Sequence, residues 1–212
     1  MTYHVVEKFK APQGEGLYTG TPMAFIRLQG CSVGKRICTH CDTDFLVKNL
    51  WKGGGEFNED DLVAWVGTYR HACLTGGEPF DYGHDLRLLI SELNQNGIGV
   101  HIETSGTREY PEEWISAYDV HLTVSPKPGW LTTWIERARE IKVIVGGLGS
   151  GDGWPTLEHA IKWADEGKLV YLQPVNKKNE PDKLTLSHAL ELIDTYPQLR
   201  LSVQLHKYIG VR

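Results

Sequence analysis

Residues 72–102 read ACLTGGEPFDYGHDLRLLISELNQNGIGVHI, and this stretch decides the fold class. It begins with a short β-rich run, Ala72–Thr75, and ends with a second, Ile98–Ile102. Between them, apolar residues recur with helical spacing at Leu86, Leu89, Ile90 and Leu93. A strand, a helix and a second strand in this order predict two parallel strands joined by a crossover helix.

The same alternation continues along the rest of the chain. Further β-rich runs occupy Ala24–Leu28, Val120–Val124, Ile141–Val145, Leu169–Leu172 and Leu199–Leu205. Strands that alternate with helices predict an α/β fold with a mainly parallel sheet. Six or seven such units in 212 residues are too few for a complete eight-fold barrel of about 250 residues. An incomplete barrel or a doubly wound sheet is therefore expected.

Length, composition and charge indicate one ordinary globular domain spanning residues 1–212. The net charge of −5 is too weakly acidic to suggest a nucleic-acid groove or an anionic membrane surface. The sequence contains no long apolar run, and Met1–Pro12 lacks the pattern of a secretory signal. We therefore expect a cytoplasmic protein. The triple glycine at 53–55 is interpreted as a loop before a capped helix that starts near Asn58.

Polar and glycine-rich groups follow four of the predicted strands. These groups are Gln29-Gly30-Cys31, Thr75-Gly76-Gly77-Glu78-Pro79, Glu103-Thr104-Ser105-Gly106 and Ser125-Pro126-Lys127. Ligands gather at the carboxyl ends of parallel strands, both in barrels and in doubly wound sheets. The four groups are therefore expected to form a single active site.

Three of the four cysteines, Cys31, Cys38 and Cys41, lie within a loop at residues 31–41. In a reducing compartment such a cluster indicates metal binding rather than disulfides. The spacing alone leaves zinc and iron–sulfur chemistry equally open. Candidates for a fourth ligand are Cys73, His40 and His71, although Cys73 in a predicted strand is better interpreted as a small buried thiol.

The residues around the cysteines resemble the radical S-adenosylmethionine superfamily and, within it, the 7-carboxy-7-deazaguanine synthase family. The resemblance runs from Gln13 to His206. Its motifs are Gln13-Gly14-Glu15-Gly16, Arg27–Cys31, Cys41-Asp42-Thr43, Thr75–Pro79, Glu103–Thr107, Val124–Lys127 and Leu172–Val175. It implies an incomplete parallel βα barrel in one domain, with a C-terminal strand at residues 199–206.

The resemblance also implies three cofactors. Cys31, Cys38 and Cys41 would hold a 4Fe-4S cluster, whose fourth iron would bind S-adenosylmethionine and reduce it. Thr43 would bind Mg²⁺, a cation that prefers oxygen ligands and often shares its site with substrate. The S-adenosylmethionine would be contacted by two groups of residues, Gly76, Gly77 and Glu78, and Ser125, Pro126 and Lys127.

The substrate implied by the resemblance is 6-carboxy-5,6,7,8-tetrahydropterin. Arg27 lies in an otherwise apolar strand and needs an anionic partner, either the substrate carboxylate or an internal acid such as Glu15. The remaining substrate contacts would come from Pro12, Gln13, Gly14, Glu15, Thr75, Glu103 and His206. The product would be 7-carboxy-7-deazaguanine, formed by radical ring contraction with loss of ammonia. That reaction defines a carbon–nitrogen lyase of queuosine and deazapurine biosynthesis.

A flavodoxin or ferredoxin as electron donor and a homodimeric state are also implied by the resemblance. The chain departs from the superfamily pattern in two ways: six residues rather than three separate Cys31 from Cys38, and His40 stands where an aromatic residue usually contacts adenine. Two alternatives stay open at this point. One is another small radical enzyme, such as an activase, and the other is a non-catalytic zinc-binding module.

Overall fold

The computed structural model describes residues 1–39, 41, 43, 53–151, 153–177 and 180–211. The strands are β1 (Tyr3–Pro12), β2 (Pro22–Leu28), β3 (Gly55–Phe57), β4 (His71–Gly76), β5 (Gly99–Thr104), β6 (Val120–Val124), β7 (Glu140–Ile144), β8 (Leu169–Gln173), β9 (Asn176–Lys177), β10 (Glu180–Pro181) and β11 (Arg200–Leu201). The helices are α1 (Gly34–Ile37), α2 (Glu59–Val66), α3 (His84–Gln95), α4 (Glu112–Ile115), α5 (Thr132–Arg137), α6 (Leu157–Asp165), α7 (Lys183–Thr195) and α8 (Leu205–Tyr208).

Most of these strands form one open sheet in the order β11-β8-β7-β6-β5-β4-β2-β1-β3. Seven strands of this sheet pair in parallel: β2, β4, β5, β6, β7, β8 and β11. Strand β1 pairs antiparallel with both β2 and β3, and β9 and β10 form a separate antiparallel pair. The two ends of the sheet do not pair with each other among the described residues. The α/β class and the incomplete parallel barrel expected from the sequence are confirmed.

Helices α2 to α7 cover one face of the sheet and form the main core with it. Ile26, Leu74, Ile102 and Val143 are fully buried strand residues of this core, and Leu86, Leu89, Ile90 and Leu93 of α3 pack in the same cluster. The periodicity that predicted α3 thus reflects its buried face. Helix α2 begins as expected, because Asn58 and Asp61 form a reciprocal capping box.

The opposite face of the same strands is polar. Strand β5 alternates Val100 and Ile102 in the core with His101 and Glu103 on the other face, and β7 alternates Ile141 and Val143 with Glu140 and Lys142. Side chains of a strand alternate between faces. The sheet therefore encloses a polar interior, and its carboxyl edge is where the site lies.

One expectation about the strands was wrong, and some strands were not predicted. The C-terminal strand predicted at 199–206 is limited to Arg200–Leu201, and residues Leu205–Tyr208 form α8 instead. The chain leaves the sheet after Leu201 because Leu205 donates its backbone N–H to Gly14 O at 2.9 Å, a bond to a loop rather than to β8. Strands β1 and β3 were not predicted.

No helix in the described part of the chain is long and apolar enough to span a bilayer.

Candidate active site

A cavity of about 250 Å³ opens at the carboxyl edge of the parallel strands. Its wall brings together most of the residues that the sequence singled out. These are Glu15, Arg27, Cys31, Cys38, Cys41, Thr43, Thr75, Gly76, Gly77, Glu78, Glu103, Ser125, Lys127 and His206. Residues from a span of almost two hundred positions thus converge on one volume, as the positions of the polar groups after the strands predicted.

Four other predicted residues lie outside that wall. Pro12, Gln13 and Gly14 line a smaller adjoining cavity of about 40 Å³, together with Arg27 and His206 among others. Pro126 is buried and lines neither cavity. His40 lies outside the described residues, so its expected contact with adenine is not placed.

The three loop cysteines are partly exposed free thiols on the wall of the large cavity. In the described part of the chain, no three His, Cys, Asp or Glu side chains are arranged to hold one metal ion. Cys73 is fully buried beside Met23 and Phe25 and does not line the cavity. The described structure thus brings the three loop thiols to one cavity wall and keeps Cys73 apart from them.

The two glycines that follow Thr75 allow β4 to approach the cysteine loop closely. A Cβ on Gly77 would lie 1.4 Å from the carbonyl oxygen of Gly30, and Gly76 has a φ of +117°. The backbone of this turn donates from Gly77 to Leu28 O at 3.0 Å and from Glu78 to Gly30 O at 3.1 Å. Glycine is therefore required here by the packing of two loops, one of which carries Cys31.

Glu78 joins the end of β4 to the end of β5. Its buried carboxylate accepts hydrogen bonds from Thr104 Oγ1 at 2.7 Å, from Ser105 N at 2.8 Å and from Phe80 N at 3.2 Å, and it also contacts the Ser105 hydroxyl. A buried carboxylate is stable only when donors satisfy it, as they do here. The Glu78 side chain thus organises the cavity wall.

Arg27 forms an internal ion pair, but with Glu7 rather than with Glu15. Its Nε lies 3.0 Å from Glu7 Oε1, and its Nη1 donates to Thr43 Oγ1 at 3.1 Å. The guanidinium also lies 5.4 Å from the ring centroid of Phe9. Glu7 and Phe9 belong to β1, a strand that was not predicted, so the sequence offered Glu15 and not Glu7 as the example of an internal acid.

Glu15 instead pairs with Lys142, a residue of β7 that was not predicted as part of the site. Lys142 Nζ contacts Glu15 Oε2 and lies 3.7 Å from Glu103 Oε1, while Gln204 Nε2 donates to Glu15 Oε1 at 2.6 Å. Burial alone would raise the pKa of Glu15, but the Lys142 ammonium and these hydrogen bonds lower it to about 2. Burial would lower the pKa of Lys142, yet the two carboxylates raise it above its usual value.

The C-terminal segment closes the site over the loop that follows β1. Besides the bond from Leu205 to Gly14, the His206 ring packs so closely on Gly14 that a Cβ there would lie 2.0 Å from Nδ1. Thr75 Oγ1 donates to Glu103 Oε2 at 3.0 Å on the opposite wall. His206 and Glu103 thus border the cavity from the C-terminal segment and from β5.

Lys127 and Trp154 form a further part of the wall. Lys127 Nζ donates to Ser125 O at 2.8 Å and to Ser125 Oγ at 2.6 Å, and it lies 5.9 Å from the Trp154 ring. Burial lowers the pKa of Lys127 to about 8. Trp154 was not predicted as a site residue, and no motif in the sequence analysis contained it.

Other residues of the wall could have been found from the sequence. Lys142 interrupts the apolar run Ile141–Val145, just as Arg27 interrupts Ala24–Leu28. A buried charge in a strand needs a partner, so the argument that singled out Arg27 applies equally to Lys142. Gln173 and Gln204 also line the cavity, and Gln173 lies in the Leu-Gln-Pro-Val motif.

Comparison with known proteins identifies the family. No protein-family model matches the chain. A 7-carboxy-7-deazaguanine synthase of Escherichia coli (strain K12) is 34% identical over 243 residues, and that of Bacteroides thetaiotaomicron is 33% identical over 216 residues, with 100% of both chains covered in each case. The crystal structure of QueE from Escherichia coli superposes with a TM-score of 0.70 and 33% identity, covering 97% of this chain and 95% of that one. The chain therefore belongs to the 7-carboxy-7-deazaguanine synthase family.

Proposed function

We propose that the protein converts 6-carboxy-5,6,7,8-tetrahydropterin to 7-carboxy-7-deazaguanine with loss of ammonia. The observation that carries this proposal is the shared cavity. Three free thiols, the Gly76-Gly77 turn and the charged side chains of Arg27, Glu15 and Lys142 all line it. Thiolates suit an iron–sulfur cluster, whereas charged side chains with fixed partners suit a polar substrate that carries a carboxylate.

The donor set fits the expected cofactors. Cys31, Cys38 and Cys41 would hold a 4Fe-4S cluster, and Gly76, Gly77, Glu78, Ser125 and Lys127 border the space for S-adenosylmethionine. When bound, the cluster and S-adenosylmethionine would supply a 5′-deoxyadenosyl radical that takes a hydrogen atom from the substrate. Pro126 supports this wall from a buried position and is not proposed as a direct contact.

Arg27 would bind the substrate carboxylate. Its Nη1 faces Thr43 at the cavity wall, and Glu7 on its other side keeps the guanidinium oriented. A guanidinium fixed in this way binds a carboxylate with defined geometry. Thr75, Glu103 and His206 border the same volume, and Pro12, Gln13 and Gly14 border its smaller extension. These groups would hold the donor-rich pterin ring.

Thr43 would supply one oxygen to Mg²⁺. Its hydroxyl lies on the cavity wall next to Arg27. Mg²⁺ commonly keeps several waters and completes its coordination with substrate oxygens, so a single protein hydroxyl is a chemically adequate contribution. Mg²⁺ at Thr43 would add positive charge beside Arg27, and both charges would favour the binding of a substrate carboxylate.

Four wider features belong to the same proposal: the reaction class, the electron donor, the homodimeric state and the location in the cytoplasm. Ring contraction with loss of ammonia leaves no net redox change, which makes the enzyme a carbon–nitrogen lyase. A flavodoxin or ferredoxin would reduce the cluster, and the protein would act as a homodimer. The cytoplasm would keep the three cysteines reduced. The two rival functions are less well supported, because the relatives in the comparison are 7-carboxy-7-deazaguanine synthases and neither rival function requires the ionic side chains of the cavity wall.

Anaerobic turnover tests the proposal directly. The reconstituted protein is incubated with the carboxypterin, S-adenosylmethionine, Mg²⁺ and reductant, and the products are identified by mass spectrometry. We expect 7-carboxy-7-deazaguanine and ammonia. Formation of 5′-deoxyadenosine without ring contraction would favour a different radical enzyme, and a colourless zinc protein would favour the binding module.

Thr43→Ala tests the magnesium site separately. The variant should retain the cluster but need a higher Mg²⁺ concentration for half-maximal activity, by about tenfold for the loss of one ligand to the ion. Thr39→Ala, which changes another threonine of the same cavity wall, is the matched control. An unchanged Mg²⁺ dependence in Thr43→Ala would contradict the assignment.

A further inference from the structure

We propose that Glu140, at the start of β7, is a positioning residue that holds the segment of residues 13–17 in the geometry required to bind the substrate. The inference rests on the proposed function, since the substrate contacts it concerns are those of Gln13, Gly14 and Glu15. Glu140 itself lines neither cavity. It would act through the backbone of the loop that follows β1.

The Glu140 carboxylate is buried and aimed at this loop. The residue is 4% exposed, and its Oε2 accepts a hydrogen bond from the backbone N–H of Leu17 at 2.8 Å. Its Oε1 accepts from Thr123 Oγ1 at 2.7 Å and lies 3.6 Å from His121 Nε2. Thr123 and Glu140 are register partners on adjacent strands. Strand β6 thus holds Glu140 Oε1 in place, and Glu140 Oε2 holds the loop through Leu17.

The loop is shaped to fit against this carboxylate. Gly16 has a φ of +66°, and a Cβ at Gly16 would lie 2.5 Å from Glu140 Oε1. Gly16 also donates its N–H to Ser202 Oγ at 3.2 Å. The short 3-10 turn Gly16–Tyr18 is therefore pressed directly against the carboxylate, with no room for a side chain between them.

The turn continues into the residues that border the substrate. Glu15 precedes Gly16, and its side chain contacts Lys142, which lies two residues beyond Glu140 on the same face of β7. The backbone N–H of Glu15 donates to Gln13 Oε1 at 3.2 Å. Strand β7 therefore holds the loop at two points: Glu140 holds the backbone and Lys142 holds the Glu15 side chain.

Two points of attachment matter because binding groups must be placed accurately. A displacement of about 1 Å in a positioning segment can change activity by about 100-fold. A buried carboxylate is also costly, and an apolar residue would serve a purely structural core position better. The need for a carboxylate acceptor that holds the loop explains why this position keeps a buried Glu140 despite the cost of its desolvation.

The test compares substitutions on both sides of the Leu17–Glu140 hydrogen bond. Glu140→Leu removes the acceptor. Glu140→Gln keeps a carbonyl oxygen that can accept from Leu17 N, and its amide NH2 can donate to Thr123 Oγ1. Leu17→Pro removes the N–H donor and directs its Cδ at Glu140 Oε2, so it breaks the contact from the side of the loop. Leu17 is half exposed, and the first turn of a helix tolerates proline. Leu17→Ala keeps the donor and is its matched control.

Turnover is measured in the reconstituted enzyme with the carboxypterin, S-adenosylmethionine and Mg²⁺. We expect the KM for the carboxypterin to rise by about 10- to 100-fold in Glu140→Leu and Leu17→Pro. Glu140→Gln and Leu17→Ala should stay close to the wild type. Iron content and the affinity for S-adenosylmethionine should not change in any variant, and amide hydrogen exchange in residues 13–18 should increase only in the first two.

The outcomes separate this inference from the proposed function. If the wild type makes no product, the proposed function fails, but the exchange experiment still tests the attachment of the loop. An unchanged KM and unchanged exchange in Leu17→Pro would overturn the inference. A loss of iron and of S-adenosylmethionine affinity in proportion to the rise in KM would also overturn it, since that pattern indicates a general structural role.

Discussion

Lys142 lies between two carboxylates in the interior of the sheet, and its charge is what makes their burial tolerable. Its side chain is 8% exposed, and those of Glu15 and Glu103 are 11% and 24% exposed. Removing one partner of a buried ionic group leaves the others uncompensated, which costs about 3–5 kcal/mol. Lys142→Met should therefore lower the free energy of unfolding by about this amount.

Urea denaturation of the wild type and of two lysine variants measures this effect. Lys162→Met is the matched control, because Lys162 pairs with Glu166 at 3.8 Å on an exposed helix surface. An exposed pair of this kind contributes about 0.3–0.5 kcal/mol. Similar losses in the two variants would show that the interior charges do not depend on Lys142.

Among the glycines, Gly77 is the position where a Cβ would have the least space. A methyl group at this position would overlap Gly30 O, one residue before Cys31. Gly77→Ala should therefore displace the cysteine loop and lower the iron content after anaerobic reconstitution to well below that of the wild type. Iron per chain and the visible absorption of the reconstituted protein are the measurements.

Gly97→Ala separates this steric effect from backbone strain. Gly97 has a φ of +72°, but no atom lies within 4 Å of the position that a Cβ would take, so the variant should lose only about 1 kcal/mol of stability. Its iron content should equal that of the wild type. Full iron incorporation in Gly77→Ala would mean that the loop adapts to the extra methyl group.

Among the elements, α8 gives a clear test of what the C-terminus contributes. None of its residues is buried, but it carries the contacts of Leu205 and His206 to Gly14. Truncation after Gln204 should therefore leave stability and iron content almost unchanged. The KM for the carboxypterin should rise by about tenfold, because contacts of this kind contribute about 0.5–1.5 kcal/mol each.

Truncation after Tyr208 is the control for that experiment, since it removes only residues beyond α8. This shorter deletion should leave the KM at the wild-type value. If both truncations had the same KM, the effect would belong to the chain end and not to α8.

The elements also show what sequence patterns reveal and what they miss. The seven parallel strands were predicted because each is a short apolar run, and α2 and α3 because their caps and periodicity are local signals. Strand β1 was missed although Phe9, Lys10 and Ala11 alternate in polarity. It pairs antiparallel with the next strand, β2, and with β3, whereas strands that alternate with helices predict only parallel neighbours. The end of β11 was misplaced because contacts with Gly14, almost two hundred residues away, determine it.

The same contrast between local signals and long-range contacts holds for the site. Motifs at the strand ends located Cys31, Thr75, Glu103 and Lys127 on one cavity wall, because topology places the ends of parallel strands together. Sequence reasoning could not choose the partner of Arg27, since Glu7 reaches it across an antiparallel pairing that was not predicted. Pairings between side chains depend on register, and the sequence does not give the register of unrecognised strands.

At the scale of the whole molecule, the interior of the sheet has two polar zones. The cavity occupies the carboxyl end, and a histidine cluster lies closer to the amino ends of β4, β5 and β6. In this cluster His101 Nε2 lies 3.1 Å from His71 Nδ1, and Tyr18 packs edge-on against His101 and His121. Burial, followed by the neighbouring histidines, lowers the pKa of His101 to about 3.

The low pKa of His101 makes the stability of the protein dependent on pH. In the unfolded chain a histidine has a pKa of about 6.5, so as the pH falls below this value the unfolded state takes up a proton that folded His101 does not bind. The stability is therefore complete above about pH 6.5 and decreases progressively towards pH 3. Between pH 7 and pH 5 we expect His101 to lower the free energy of unfolding by about 1–2 kcal/mol.

Urea denaturation at pH 7 and pH 5 tests this prediction, and iron-free protein is used so that acid loss of a cluster does not contribute. His101→Gln cannot titrate, so its stability should decrease less between the two pH values than that of the wild type, by about 1–2 kcal/mol. His188→Gln, at an exposed position of α7, should retain the wild-type dependence. If His101→Gln kept the full pH dependence, the acid sensitivity would have to come from other groups, and the interior histidines would not limit the pH range of the fold.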